Sequence, residues 1–459
     1  MTNLKRISAI TLCLLGLTLT PTVSAQEETA TTTLPEQWDL QTCIEYALQQ
    51  NITIRKNRLS AESAEVDVKT AKKDLFPSIS ASISQRLVNM PKAESTTIID
   101  GDNISTSSSK TTYNGSYGID LNWTIYSGNK RLNTIKQQKL NSRISELTVD
   151  ESESTIQEQI TQLYVQILYS AEAVEVNKNT LEVSIAARDR GKVLLEAGSI
   201  ARSDLAQLES QVSTDRYNVV NAEATLADYK LQLKQLLELG GEDEMNLYIP
   251  QLSDENVLVP LPSRTEIYQA ALATRPEIAS SELNVEVAEM EVKIAKGGYL
   301  PTLSLTAGIG TNHTNGNDYS FSEQIKQNWD NSIGLSLSIP IYSRRDNKSA
   351  VEKAKIQKLS SELDLADQQK TLYKTIEGFW LDANTAQKRY AAAVEQLKYS
   401  QISYDLVQQQ FDLGMKNTVE LLTEKNTLLS SKQELLESKY TAILNMQLLK
   451  FYGGESINL

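Results

Sequence analysis

Two cysteines, one histidine and ten prolines are spread over 459 residues, and aromatic side chains make up only 6% of the chain. Each shortage removes a class of protein. Cys13 lies in an apolar leader, so the mature chain keeps Cys43 alone and cannot form an intrachain disulfide. An exported protein of this size is then held by burial or by assembly. With His313 as the sole histidine, no cluster of His, Cys and carboxylates is available to ligate a transition metal or to run acid–base catalysis, which argues against an enzyme. No glycine-rich nucleotide loop occurs, and no cofactor or metal site is expected. Cations are short as well: 45 Lys and Arg face 58 Asp and Glu, a net charge of −13 that disfavours nucleic acid as a partner. After the leader no run of 18 apolar residues exists, so nothing there can cross a membrane as a helix. A bilayer span, if there is one, is made of strands.

The leader sets the compartment. Lys5 and Arg6 precede an apolar run from Ile7 to Leu19, and Val23-Ser24-Ala25 follows, the pattern of a secretory signal peptide over 1–25 that is cut before Gln26. Cys13 follows bulky Leu12 rather than a small residue, unlike the acylated cysteine of a lipoprotein.

The mature chain is one unit written twice. Leu75-Phe76-Pro77-Ser78-Ile79-Ser80 recurs as Tyr299-Leu300-Pro301-Thr302-Leu303-Ser304, and Ala47-Leu48 recurs as Ala271-Leu272, both at an offset of 224. Farther on, Ile125-Tyr126-Ser127 returns as Ile341-Tyr342-Ser343, and Gly198 with Asp204 as Gly414 with Glu420, now at 216. The shift changes once, between two strands, as an exposed loop tolerates and a packed element does not. The first repeat is set at 26–239 and the second at 264–453, with a linker over 240–263 that is rich in breakers and a short tail over 454–459.

Four segments alternate apolar and polar residues: 78–88 (Ile79, Ala81, Ile83, Leu87 against serines), 113–126 (Tyr117, Ile119, Leu121, Trp123, Ile125), 301–311 (Leu303, Leu305, Ala307, Ile309) and 332–342 (Ile333, Leu335, Leu337, Ile339, Ile341). Each is about ten residues long, enough to cross a bilayer when tilted, and its second face of Ser, Thr, Gly and Asn suits a wet lumen. Tyr113, Trp123, Tyr126, Tyr299, Trp329 and Tyr342 sit near the segment ends, where aromatic belts meet lipid headgroups. Four strands cannot close a barrel, because small closed barrels start near eight and an unpaired edge in lipid is costly. Several copies must share one barrel, and a three-fold ring would supply twelve strands.

The remaining sequence is helical. From Asn129 to Leu195 there is no proline and one late glycine, Gly191, with apolar residues at helical spacing; Asn347 to Phe411 is its twin. At about 1.5 Å per residue such a helix approaches 100 Å. The return helix of the first hairpin (129–238) carries a heptad seam from Leu205 through Leu208, Val212 and Val219 to Leu236, interrupted by polar Asp215 and Tyr229. The return helix of the second hairpin (344–451) carries two adjacent columns, Leu421, Leu428, Leu435, Ala442 and Leu422, Leu429, Leu436, Ile443, a stripe broad enough for two neighbours. Each hairpin turns at a glycine, Gly198 or Gly414, suited to a left-handed helix end, with Ser203 or Asp204, and Asn417 or Thr418, placed to cap the next helix.

This order of helix, two strands, long helix, tip and return helix, written twice, resembles the TolC-like family of outer-membrane efflux and secretion ducts over Leu40 to Tyr452. The doubled Pro-Ser or Pro-Thr strand start, the strand exits Ile125-Tyr126-Ser127-Gly128 and Ile339-Pro340-Ile341-Tyr342, and the two tips carry the resemblance. It implies a mostly α fold with transmembrane β: four membrane strands per protomer in a 12-stranded trimeric barrel, continuous with a long periplasmic helical coiled-coil barrel. It further implies a homotrimer in outer-membrane lipid, acting as a passive exit duct for small molecules or secreted polypeptides. Its partners would be a periplasmic membrane-fusion adaptor and a proton-driven or ATP-driven inner-membrane transporter. By the same resemblance Gly198, Ser199, Ile200, Gly414, Met415 and Val419 form adaptor-docking tips, while Asp204, Lys416 and Glu420 gate the periplasmic constriction. Where the family often adds a second acidic residue, this chain has Thr423 followed by Glu424. A non-channel periplasmic coiled-coil scaffold or adhesin would share the helices but has no use for the strands.

Overall fold

Asp39 starts the first helix, its carboxylate accepting the Thr42 N–H at 2.7 Å. The computed structural model describes residues 35–89, 96–100, 103–107, 111–240, 245–250, 257–315 and 319–457. The leader expected over 1–25 therefore lies outside the described residues. From Trp38 to Leu459 the chain forms a single unit.

Helix α1 (Leu40–Gln50) leads directly into α2 (Ile52–Lys73) through Asn51, whose side-chain oxygen accepts the Thr53 N–H at 2.9 Å while its amide donates to the Leu236 carbonyl at 3.0 Å. Strand β1 (Ser78–Asn89) follows, then a hairpin of β2 (Thr96–Asp100) and β3 (Asn103–Ser107), and β4 (Thr111–Ser127). Next come the long helix α3 (Lys130–Glu196) and its return α4 (Arg202–Leu236). After the connection, α5 (Arg264–Thr274) and α6 (Pro276–Lys296) precede β5 (Thr302–Thr314), the short α7 (Phe321–Gln327) and β6 (Asp330–Ser338). Helices α8 (Asp346–Asp412) and α9 (Thr418–Tyr452) complete the chain. Both long helices run 67 residues and both return helices 35.

The sheet is antiparallel with order β1-β4-β5-β6. Among the helices that continue from it, α2 packs on α3, α3 on α6 and α6 on α8, so the helices repeat the order of the strands. Four apolar cores lie along the described helices, the smallest around Tyr390 and Ile443. The largest gathers Trp38, Cys43, Ile44 and Ala47 with Ile160, Tyr164 and Leu168 of α3, Leu233 and Leu237 at the end of α4, and Leu436 of α9. Each large side chain fully buried there contributes about 1.5–3 kcal/mol. A second core joins α5 and α6 to α8 and α9 around Ile278, Ile376 and Leu449, and a third holds the hairpin ends together around Leu208, Phe411 and Leu421.

Some strand ends differ from the sequence expectation. The segment expected over 332–342 pairs only from Asp330 to Ser338. Pro340 has no N–H to give a ladder, and Arg344 and Arg345 take positive φ, so Ile339, Ile341 and Tyr342 form an exposed turn into α8. In β4 a register shift between Thr124 and Tyr126 leaves Ile125 unmatched and places Tyr126 opposite Leu303. This bulge, and not Ile125, continues the apolar face. The hairpin of β2 and β3 and helix α7 were not expected from periodicity: the first is a polar Ser- and Thr-rich stretch, and the second has only seven residues.

Candidate functional site

The register places every expected apolar strand residue that remains paired on one surface. Ile79 lies opposite Leu121, Leu121 opposite Ala307, and Ala307 opposite Ile333, one unbroken row across four strands. The next row is Ala81, Ile119, Ile309 and Asn331, and the Leu337–Leu303–Tyr126 and Leu335–Leu305–Trp123 rows extend the face. On the opposite surface Ser80, Asp120, Gly308 and Ser332 form a row, beside Ser78, Asn122, Thr306 and Gly334. The apolar rows stand open among the described residues, with Ile333 79% exposed and Leu335 66%. A surface this greasy on a folded protein needs a non-aqueous neighbour.

The six expected belt aromatics fall at the two ends of these rows. At the loop end, Tyr113 meets the ring of His313 edge-on at 5.5 Å, and Trp329 stands exposed just before β6. At the helix end, Trp123 donates to the Leu75 carbonyl at 2.8 Å, Tyr126 flanks Leu303, Tyr299 closes the turn before β5, and Tyr342 is almost fully exposed. Ten residues separate Tyr113 from Trp123. That is roughly 34 Å along a strand, and about 24 Å after a 45° tilt, the height of the apolar band of a membrane barrel. Tyr319 and Phe321 at the loop end and Phe76 at the helix end are further exposed rings that strand alternation does not single out.

At the far end of the hairpins both turns have one backbone pattern. Gly198 and Gly414 adopt φ of 72° and 74°, the left-handed region. Ser199 N–H donates to the Leu194 carbonyl and Gly198 N–H to Leu195, and Met415 and Gly414 do the same to Gln410 and Phe411. These are paired Schellman closures, which satisfy carbonyls a helix end would otherwise leave open. The side chains then diverge. Asn417 caps α9, accepting the Glu420 N–H at 2.9 Å, while the Glu420 carboxylate accepts the Asn417 N–H at 3.1 Å and the Lys416 ammonium at 2.5 Å. The hydrogen bond from Lys416, then that from Asn417, hold Glu420 below the usual carboxylate range. In the first turn the capping position is Ala201, which has no acceptor, and Asp204 instead reaches back to the Ala201 N–H at 2.9 Å. Ser203 does not serve as the cap.

Asp204 and Lys416 form no ion pair with each other within the chain. The link between the two hairpins near the tips is Arg190 of α3, which donates to the Asp412 carbonyl at 2.6 Å and lies 3.5 Å from its carboxylate. Sequence pattern does not reveal this pair, since its members are 222 residues apart. Met415 at 71% and Val419 at 57% are exposed, as is Leu413 at 75%, which the tip motif does not mark. Ile200, expected in the same exposed set, is instead tucked against the third core. Gly191 makes room for Leu208, since a β-carbon there would stand 2.5 Å from Leu208 Cδ1, while Ile200 Cδ1 at 3.7 Å is at ordinary contact distance. Among the described residues no group of His, Cys, Asp or Glu could hold a metal ion, and no helix is long and apolar enough to cross a membrane.

Comparison with known proteins agrees with this geometry. The profile described as "Outer membrane efflux protein" matches residues 43–238 and again 267–454. The outer membrane protein TolC of Salmonella enteritidis is 21% identical over 432 residues, covering 92% of this chain and 83% of that protein. The alkaline protease secretion protein AprF of Pseudomonas aeruginosa is 25% identical over 263 residues, 56% of this chain and 53% of that one. Among solved structures, CusC, described in terms of transmembrane channel formation, superposes with a TM-score of 0.76 at 18% identity, covering 91% of this chain and 92% of that chain. With the family profile matched twice and most of the chain accounted for, the chain belongs to the outer membrane efflux protein family.

Proposed function

We propose that three copies of this chain close one 12-stranded barrel and one helical tunnel, and that the assembly is the outer-membrane exit duct of a tripartite efflux or secretion system. One observation carries the assembly: the open edges of the sheet and of the helical layer coincide. β1 and β6 are the outer strands, and α2 and α8, which connect directly to them, are the outer helices. Both outer helices bear exposed apolar residues at helical spacing, Ile52, Leu59 and Val66 on α2 and Ile356, Leu359 and Leu363 on α8. Tyr217, Val220 and Leu231 of α4 and Tyr399, Ile402 and Leu406 of α8 are exposed as well. A copy docked edge to edge would satisfy the strand ladder and bury the stripes of α2 and α8 at once, and repetition of that contact closes a ring. A scaffold or adhesin of helices alone has no use for such a sheet.

In this reading the two halves are a duplicated unit, 26–239 and 264–453. The row containing Asp120 faces the water-filled lumen, and the apolar rows with Tyr113, Trp123, Tyr126, Tyr299, Trp329 and Tyr342 face lipid. Gly198, Ser199, Gly414, Met415 and Val419 present the surface on which a periplasmic adaptor docks, with Ile200 supporting it from below. Asp204, Lys416 and Glu420 stand at the constriction. The duct does no chemistry of its own; an inner-membrane transporter, driven by protons or ATP, supplies the free energy. Cross-linking in membranes tests the assembly. The expected ladder ends at three chains that fractionate with the outer membrane and shift in gel mobility on heating; a detergent-free soluble monomer would refute it.

A further inference from the structure

Asp215 occupies an inward position of the α4 seam, between Val212 and Val219, both buried. It is the polar interruption of an otherwise apolar heptad pattern, and its carboxylate is fully engaged. Ser184 of α3 donates to it at 2.5 Å, Gln211 of α4 at 3.0 Å, and the ammonium of Lys425 on α9 closes an ion pair. The two charged side chains are 2% and 5% exposed, and among the described residues no other ion pair has both members below a tenth. Around them stand Ala187, Leu208, Leu421 and Leu428 of the third core. Burial pulls the Lys425 ammonium below its usual range and Asp215 pulls it back up, so this charge is tolerated only while its partner stays in place.

The site joins both hairpins, because Ser184 and Asp215 belong to the first and Lys425 to the second. Lys425 lies eleven residues from Gly414 and Asp215 seventeen from Gly198, which puts it roughly 16 to 26 Å from the turns at about 1.5 Å per residue. Contacts nearer the tips are of another kind. The Arg190–Asp412 pair is 42% exposed on both sides, and such a pair separates at little cost. Leu194 and Phe411 meet through apolar surface, which is non-directional and can slide. A buried ion pair cannot slide by a residue without leaving two charges unpaired, which is how a single polar seam position fixes register.

We propose that Asp215 and Lys425 are the pivot on which the α8–α9 hairpin turns against the α3–α4 hairpin when the periplasmic entrance widens, so that movement grows from this level toward the tips and does not pass above it. The proposal rests on the reading of the tips as a moving entrance. Spin-label distances in the full-length trimer test it, and the buried Cys43, its thiol pushed up to about 12 by burial, leaves introduced cysteines as the reactive ones. One label pair spans the tips, Arg202→Cys with Met415→Cys; the other lies on the barrel side of the pivot, Asn221→Cys with Gln433→Cys. Labelled chains are diluted with unlabelled ones so that each trimer carries one pair. Lys416→Gln is expected to add a longer tip distance and leave the second pair unchanged. Lys425→Met is expected to add a longer component to the second pair, and the swap Asp215→Lys with Lys425→Asp to remove it. Should Lys425→Met fail to assemble, Ser184→Ala, which deletes one hydrogen bond to Asp215, is expected to broaden the same distance. The pivot is overturned if Lys416→Gln moves both pairs alike, or if neither Lys425→Met nor Ser184→Ala disturbs the second pair. Tips that stay rigid and closed in Lys416→Gln, with unchanged conductance in planar bilayers, would instead refute the entrance reading, and the Lys425 result would still decide whether the ion pair sets register.

Discussion

The two hairpin turns share a backbone and differ in how their side chains finish it. The second has an asparagine cap, a reciprocal glutamate and a lysine on that glutamate, with Leu413, Met415 and Val419 left outside. The first begins its return helix on an alanine, closes half a capping box through Asp204, and draws Ile200 inward onto the third core. One turn is thus fully capped and greasy outside, the other half-capped and polar. A duplicated plan can keep its fold while its two ends take up different work, because the fold depends on glycines and helix length and the contact surface on a few exposed residues.

The largest expected consequence concerns docking. Met415→Asp combined with Val419→Asp should lower export more than tenfold, the effect of losing about 1.4 kcal/mol of contact, whereas Ser199→Asp should stay within about threefold. Export from cells carrying the cognate pump measures both, and equal losses would erase the distinction between the turns. Capping gives the next effect. Asn417→Ala should cost about 1 kcal/mol in thermal unfolding, and Ala201→Asn should recover up to a similar amount in the first turn. No gain from Ala201→Asn would mean that Asp204 already meets the need.

The smallest effect is a pH response confined to the second turn. Glu420 is held below its ordinary value of 4.5, so the clasp with Lys416 and Asn417 is complete above that value and is lost as pH falls through the lowered one. Single-channel conductance should therefore stay level from neutrality down to about pH 5 and rise only in stronger acid. Glu420→Gln should abolish the acid response; a response that persists in this variant would assign it to other groups.

Periodicity made the long helices and the four sheet strands readable, because a 3.6-residue stripe and a two-residue alternation each persist here over many turns or pairs. Ser78–Asn89 and Lys130–Glu196 are cases in point. What stayed hidden depends on distance or on single residues. The bulge at Ile125 replaces one step of an alternation that looks regular, and Pro340 ends β6 two residues earlier through a missing donor. Ile200 reads as exposed until the third core, built by residues from four helices, is seen to take it in. Arg190 finds Asp412 only after both hairpins have folded side by side. Asp215 was visible as a break in the seam, but its partners, Ser184 and Lys425, come from two other helices.

The matched lengths of the two hairpins, 67 residues out and 35 back in each, act as a ruler. One residue added to a single long helix would advance its tip by about 1.5 Å and rotate everything beyond it by roughly 100°, turning a contact face away from its neighbour. Reaching a more distant partner therefore means lengthening out-going and returning helices together, in whole heptads and in both halves. The span of this duct is a property of four helices jointly and cannot be tuned through any one of them.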